Sequence, residues 1–409
     1  MIKKVFPVIG LATFASMLGI GIIAPFIPLY ARSLGADGLM IGVILAGYSV
    51  SKAVVMPFIG RFSDRKGRKL FLVIGLGCYT FLSLAYIWGT NVYLLALIRI
   101  VHGMAGGMVL PVARAWVGDV TPDGEEGTWQ GYFNTIWFGG MGCGPVMGGL
   151  LNDYFGMSAA FLAMGALSLL AFIGVVFFLP EAQRSVKARP KTLVSFRKMG
   201  GSGVFLGVFS LKILESTGRR SFFGFLPIFA GIQLGLSTTE IGLLFAVDTI
   251  VSALLQAPAG KLADVVNKRL LIVVASFLGG LYMALTPMTT SFWWLLSVIL
   301  VAGLRAAITS GGTSAFMVEE GRRFGMGWTM AMLSMAVSIG EGIGPVFGGF
   351  VVDRAGVTGN FYVSAGLMVM AAIVFMGFTQ VKDRVISTKA ETMARGQPKP
   401  PVISEEDVV

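Results

Sequence analysis

A run of about 20 apolar residues recurs along this chain, and no other feature limits its fold as strongly. A helix rising about 1.5 Å per residue needs roughly that many to cross the hydrocarbon of a bilayer. Twelve stretches qualify, at 6–30, 39–59, 70–90, 93–118, 129–151, 157–179, 204–231, 238–259, 270–290, 292–318, 326–350 and 360–379. Their internal glycines and prolines are no objection, since spanning helices tolerate both and use glycine for close packing. Composition removes the soluble alternative. Of 409 residues, 55% are hydrophobic and 13% charged, more apolar surface than a soluble fold can hide. The N-terminal "MIKK" and the run behind it could open a signal peptide. The run continues through Pro25 and Pro28 without a small-residue cleavage site, so it reads as a first spanning helix. The expected fold is an all-α polytopic membrane protein, with twelve transmembrane helices in two pseudo-symmetric six-helix bundles.

The loop charges sort by side. One set of alternate loops carries Lys3 and Lys4; Arg61, Arg65, Lys66, Arg68 and Lys69; Arg184, Lys187, Arg189, Lys191, Arg197 and Lys198; Lys261, Lys268 and Arg269; Arg322 and Arg323; and Lys382, Arg384, Lys389, Arg395 and Lys399. The opposite set holds only Arg32 and Arg354. Basic excess marks the cytoplasmic side, so both termini are expected inside a cell's inner or plasma membrane. The formal net charge of +11 thus follows topology and gives no support to nucleic acid as a partner. Cys78 and Cys143 fall within apolar runs without metal-ligand spacing and read as small buried hydrophobes.

Residues 180–203 form the only long polar segment between spans. They divide the chain into an N-terminal bundle (1–179), a cytoplasmic linker (180–203), a C-terminal bundle (204–379) and a tail (380–409) whose composition suits disorder. The halves repeat. Gly60 and Asp64 correspond to Gly260 and Asp264, and "GPVMGG" (144–149) to "GPVFGG" (344–349), both at an offset of 200, while Pro28 meets Pro227. Repeats of this kind place a substrate site near the midplane, where the halves meet.

Three motifs carry more than topology: "GRFSDRKGRKLFL" (60–72), "RIVHG" (99–103) and "GMGCGPVMGG" (140–149). The chain resembles the major facilitator superfamily, and within it the twelve-helix drug:proton antiporters. The first motif fits the family's loop signature at nearly every position. The second resembles the fourth-helix R-x-x-q-G, with His102 in place of glutamine. The third resembles the fifth-helix antiporter motif, which points to export. The resemblance implies a cavity lined by helices one, four, seven and ten. It also implies a cytoplasmic gate built on Gly60, Asp64, Gly67 and Arg68, with Asp119 at the end of helix four, closing the inner side in the outward-facing state. Gly260 and Asp264 form a weaker twin, in which Asn267 replaces a glycine. In this chain the antiporter motif is itself repeated, as "GEGIGPVFGG" (340–349), and the first helix has no acidic residue.

Seven lysines and arginines lie inside the spans, Lys52, Arg99, Arg114, Lys212, Arg219, Arg220 and Arg305, and three acids lie well inside, Glu215, Asp248 and Glu341. Each costs about 2.5–3.5 kcal/mol at a helix centre, so each should face the bundle interior, water or a partner. The three acids and Arg305 sit at one level, roughly 17–23 Å from the cytoplasmic helix ends. Glu215 has Arg219 four residues on, whereas Asp248 and Glu341 have no base within a turn of their own helix. One of the three acids is expected to carry a coupling proton; the rival reading is that all three only neutralise bases. By resemblance Arg99 assists proton transfer, acting as a permanent cation on a neighbour. His102 is expected in a helix–helix hydrogen bond. Arg99, His102, Arg219, Arg220 and Arg305 are candidates for the cavity wall. Gly140, Gly144, Pro145, Gly148 and Gly149, with Gly344 and Pro345, read mechanically, as close-approach and bending positions at the interface between halves.

The expected activity is export of a small organic molecule, drug-like or a metabolite, by proton antiport with alternating access. The alternatives are an uptake symporter or facilitator for a metabolite or organic anion, and, further off, a transporter-like sensor or scaffold. No nucleophile–base set, metal cluster or phosphate-cradling loop argues for an enzyme, a cofactor or ATP coupling. The expected partners are the substrate, protons and lipid, with the chain working as a monomer.

Overall fold

The computed structural model describes residues 2–122, 124–180, 203–324 and 326–396, leaving aside the side chains of Lys4, 323–328 and 380–396. Nearly all of the 180–203 segment and all of 397–409 lie outside the described residues. Among those described there is no strand. The helices are α1 (Ile2–Ile23), α2 (Ile27–Ser33), α3 (Gly38–Lys66), α4 (Arg68–Ile87), α5 (Val92–Val120), α6 (Glu126–Phe155), α7 (Met157–Phe178), α8 (Gly203–Ile228), α9 (Thr238–Val265), α10 (Lys268–Leu285), α11 (Phe292–Phe324) and α12 (Met326–Gly396). Among the described residues nine stretches are long and apolar enough to cross a bilayer. The last, Thr329–Thr379, is 51 residues long and bends at Gly356 (φ 72°), so it holds two helices. Absent from the nine are α6 and α8; the latter carries Lys212, Glu215, Arg219 and Arg220.

Three expected boundaries move. The first helix does not run unbroken to residue 30: it stops at Ile23, turns over 24–26, and restarts as α2 with Pro28 in its first turn. Pro25 and Pro28 lack the backbone donors a continuous helix would need there. The loop expected at 351–359 is a single residue, Gly356, just as Gly156 (φ 81°) alone joins α6 to α7. Only glycine adopts that backbone readily. Beyond residue 380, helix continues to Gly396; that stretch has no proline, and the first one stands at 398. Cys143 is also exposed rather than buried, while Cys78 is half-buried.

Large apolar side chains such as Leu11, Phe81, Phe177 and Leu254 are two-thirds or more exposed. In water that would drive aggregation; facing lipid it costs nothing. Inside, α1 packs on α6 and α7, and α8 packs on α12. Two further packings join the halves directly, α6 against α9 and α3 against α12.

Candidate functional site

The deep acids all have basic partners. Glu215 is buried and accepts from Lys212 (2.8 Å) and from Arg305 (2.7 Å), which is itself only 1% exposed. Its expected neighbour Arg219 turns away and donates to Asp248 at 2.5 Å, stacking its guanidinium 5.0 Å from the Phe223 ring centre. Helix geometry allowed the Glu215–Arg219 pair, but Lys212 on the same helix and Arg305 on α11 take Glu215 instead. Arg220 holds Glu341, its Nε at 3.0 Å from Oε1. This last pair is the most open of the three, with side-chain exposures of 50% and 29%. Lys52 of α3 and Arg219 also stand close enough to Glu341 to act on its charge.

The first half is built otherwise. His102 is fully buried and its Nδ1 is 2.8 Å from the Tyr86 hydroxyl, a hydrogen bond between α5 and α4. Tyr48, Tyr79 and Tyr86 all meet the imidazole edge-on, with ring centres at 5.3, 4.7 and 5.7 Å. Arg99 is buried with its guanidinium carbon 4.7 Å from the Tyr48 ring centre, and its Nε has no partner. Lys52 lies 6.0 Å from the same ring. Among the described residues neither Arg99 nor Lys52 forms an ion pair. Arg114 is satisfied locally by Asn134 at 2.8 Å.

At the Arg68 end, the ion pairs of that arginine lie within the first half. Arg68 donates to Asp119 and to Asp64 (3.0 Å). Gly67 makes the turn between α3 and α4 at φ 95°. In the twin, Lys268 and Glu319 take the places of Arg68 and Asp119. Asp264 is exposed without a bond among the described residues. Asn267 replaces the glycine turn with a side-chain cap on the Arg269 and Leu270 amides of α10. A side chain at Gly60 or Gly260 would meet open space.

At the opposite end the halves are clasped. Asp153 Oδ1 accepts from the Thr238 amide (3.0 Å) and hydroxyl (2.6 Å); Oδ2 accepts from the Thr239 amide (2.8 Å) and hydroxyl (2.6 Å). Asp353, 200 residues on, accepts from the Gly38 (2.6 Å) and Leu39 (2.8 Å) amides. Each carboxylate thus caps the first turn of a helix from the other half, where negative charge is favoured. Burial pushes the Asp153 carboxyl up, yet the bonds from Thr238 and Thr239 outweigh it and hold the group below its ordinary value.

The motif glycines divide between two faces at helical spacing. Gly140, Gly144 and Gly148 lie against α1, where a Cβ on Gly144 would stand 2.6 Å from the Gly21 Cα. Gly149 lies against α9, where a Cβ would stand 2.6 Å from the Thr239 Cα, and the Pro145 carbonyl backs onto Gly242. The second copy repeats both arrangements. Gly340, Gly344 and Gly348 face α8, while Pro345 backs onto Gly42 and Gly349 onto Gly38. Without side chains there, the two helix pairs approach backbone to backbone, and this brings the aspartates to the facing N-termini.

Sequence reasoning did not single out Asp153, Asp353, Tyr48 or Glu319. The aspartates could have been found, because each follows its GPxxGG motif by four residues at the same 200-residue offset. Two shallow cavities of about 410 and 420 Å³ lie at this clasped end near Arg32, Asp37 and Asp353.

The family model of the major facilitator superfamily matches residues 9–329 and 208–405. The chain belongs to the major facilitator superfamily. It is 30% identical over 379 residues to an uncharacterised MFS-type transporter of Methanocaldococcus jannaschii, covering 91% of this chain and 97% of that protein. It is 25% identical over 387 residues to the quinolone resistance protein NorA of Staphylococcus aureus, covering 92% and 96%. A bacterial homologue of the human lysosomal transporter Spinster, solved inward-facing and unoccupied, shares the fold with a TM-score of 0.78 at 14% identity over 91% of this chain and 96% of that one. Superfamily members are transporters and not enzymes, so this is a multi-pass membrane transporter of small molecules. Among the described residues no cluster could hold a metal ion.

Proposed function

We propose that this superfamily member exports a small organic molecule in exchange for protons, alternating access between the two sides of a cell's inner or plasma membrane and working as a monomer. Its two six-helix halves, joined by the 180–203 segment, would rock about the packings of α6 on α9 and α3 on α12. With the basic Arg68 end in the cytoplasm, together with both termini, the clasped Asp153 end would face outward, as an inward-facing state requires. The Arg68–Asp64–Asp119 cluster is then an unlatched gate, its contacts confined to one half until the cytoplasmic side closes.

One observation carries the coupling role. Glu341 and Arg220 join two helices at the interface of the halves, and this is the only one of the three deep acid sites whose two members are both substantially exposed in the structure. Protonating Glu341 would release Arg220, and Lys52 and Arg219, also close by, would favour return of the charge. Glu215, between two bases and nearly closed off, serves as a fixed structural ion triad. Replacing each acid by its amide in proteoliposomes tests the assignment. Glu341→Gln should abolish gradient-driven efflux, whereas survival of driven transport in all three amide variants would refute proton coupling through this set. A second reading, a carrier for organic anions, is favoured by Lys52 and Arg99, which form no ion pair among the described residues.

A further inference from the structure

The deep charges do not cancel. Three carboxylates face four bases in the second half, while the first half adds Lys52 and Arg99, neither in an ion pair among the described residues, with Arg114 bonded to Asn134. Bringing an unpaired cation to mid-membrane is costly, and the expense recurs here on adjoining helices, α3 and α5. The two cations flank one ring: Tyr48 has Arg99 at 4.7 Å and Lys52 at 6.0 Å from its centre. Arg99 is 5% exposed with an unpartnered Nε, and Lys52 and Tyr48 are half-buried. Lys52 is therefore partly open, near enough to Glu341 of the other half to act on its charge, and Arg99 stands against the same ring as a second, buried positive charge.

Across the interface are the Arg220–Glu341 and Arg219–Asp248 pairs, each internally neutralised. Phe223 lies beside Arg219 and offers a half-buried apolar surface at the same level. A ligand near these pairs meets carboxylates whose charge a base already offsets, Asp248 keeping only its Oδ1 without a hydrogen-bond partner. A lipophilic cation would have to displace Arg219 or Arg220 to find an uncompensated one, and would feel Lys52 and Arg99 as repulsion.

We infer that Lys52, backed by Arg99 through Tyr48, is an anion subsite, and that the substrate is an amphipathic organic anion with one carboxylate or sulfonate on an apolar body. The inference rests on the transport reading for its biological sense, but its test needs no gradient, so the two can fail separately. Purified protein in detergent is titrated with a matched pair sharing one ring system, 1-naphthylacetate and 1-naphthylmethylammonium, and the unfolding midpoint and direct binding are followed. The anion should raise the midpoint in a saturable way and the cation should not. Lys52→Gln should weaken anion binding about tenfold or more, the scale of a lost hydrogen bond to a charged group, whereas Lys52→Arg should retain it. Stabilisation by the cation alone, no response to either probe, or wild-type anion binding by Lys52→Gln would each overturn the assignment.

Discussion

In the first half of the molecule the deep bases Lys52 and Arg99 stand beside a tyrosine ring; in the second, every deep arginine faces a carboxylate. The two arrangements occupy the same scaffold. Tyr48 and Asp248 are 200 residues apart at equivalent places on α3 and α9, and one supports Arg99 with its ring face while the other binds Arg219 as a salt bridge. A phenol leaves the cation's charge available to a ligand; a carboxylate consumes it. The same helix packing thus carries two charge arrangements, one whose bases lean on an aromatic ring and one whose bases are neutralised by carboxylates.

The largest expected break in this comparison is at Arg305. Arg305→Leu removes one base from the buried Glu215 triad and should lower stability by about 3–5 kcal/mol, the usual penalty for opening a buried pair; thermal unfolding in detergent would register it. The same change at Arg99, which has no acid to strand, should cost less. Next in size is Gly149→Leu, whose side chain would meet the α9 backbone at Thr238 and Thr239. The halves could no longer close at that end, so transport should be lost while insertion and expression persist, and cysteine accessibility near Asp153 should rise. Gly144→Leu, against Gly21 within one half, should also stop transport.

The two clasps permit a finer test. Asp153 accepts four bonds and Asp353 two, because Thr238 and Thr239 bring hydroxyls that Gly38 and Leu39 lack. Asp153→Asn should therefore open the clasped end more than Asp353→Asn. Since the folded state holds the Asp153 carboxyl below its ordinary value of 3.8, its contribution is complete above that pH and is lost as pH falls through the lowered value. Closure, followed by cysteine labelling, should accordingly be flat from neutral pH down to about pH 4 and fail only below it. The smallest effect belongs to Asp64→Asn. Asp64 is largely exposed and Arg68 keeps Asp119, so stability should change by at most about 1 kcal/mol, while turnover slows if the gate must latch.

Much of this was legible in the chain. Runs of about 20 apolar residues and the 200-residue offset of GPVMGG and GPVFGG announce a duplicated helical membrane protein, because bilayer thickness and close packing leave few other uses for such patterns. The ten deep ionisable residues could be named for the same reason. Their pairing could not. Arg219 is one turn from Glu215, yet it binds Asp248, since which arginine reaches which acid depends on the rotation of α8 against α9, α11 and α12. Tyr48 was invisible as a cation's partner because a tyrosine in an apolar run has many equally good reasons to be there. The break of the first helix after Ile23 was signalled by Pro25 and Pro28, but spanning helices so often absorb prolines that the signal carried little weight.

The division of labour between the halves rests above all on Glu341. The decisive measurement is efflux from proteoliposomes under an imposed proton gradient, comparing wild type with Glu341→Gln and Lys52→Gln, using 1-naphthylacetate as the transported probe. Loss of gradient-driven efflux in Glu341→Gln with anion binding intact, and loss of binding in Lys52→Gln, is the predicted result. Undiminished proton-driven efflux in Glu341→Gln would contradict it.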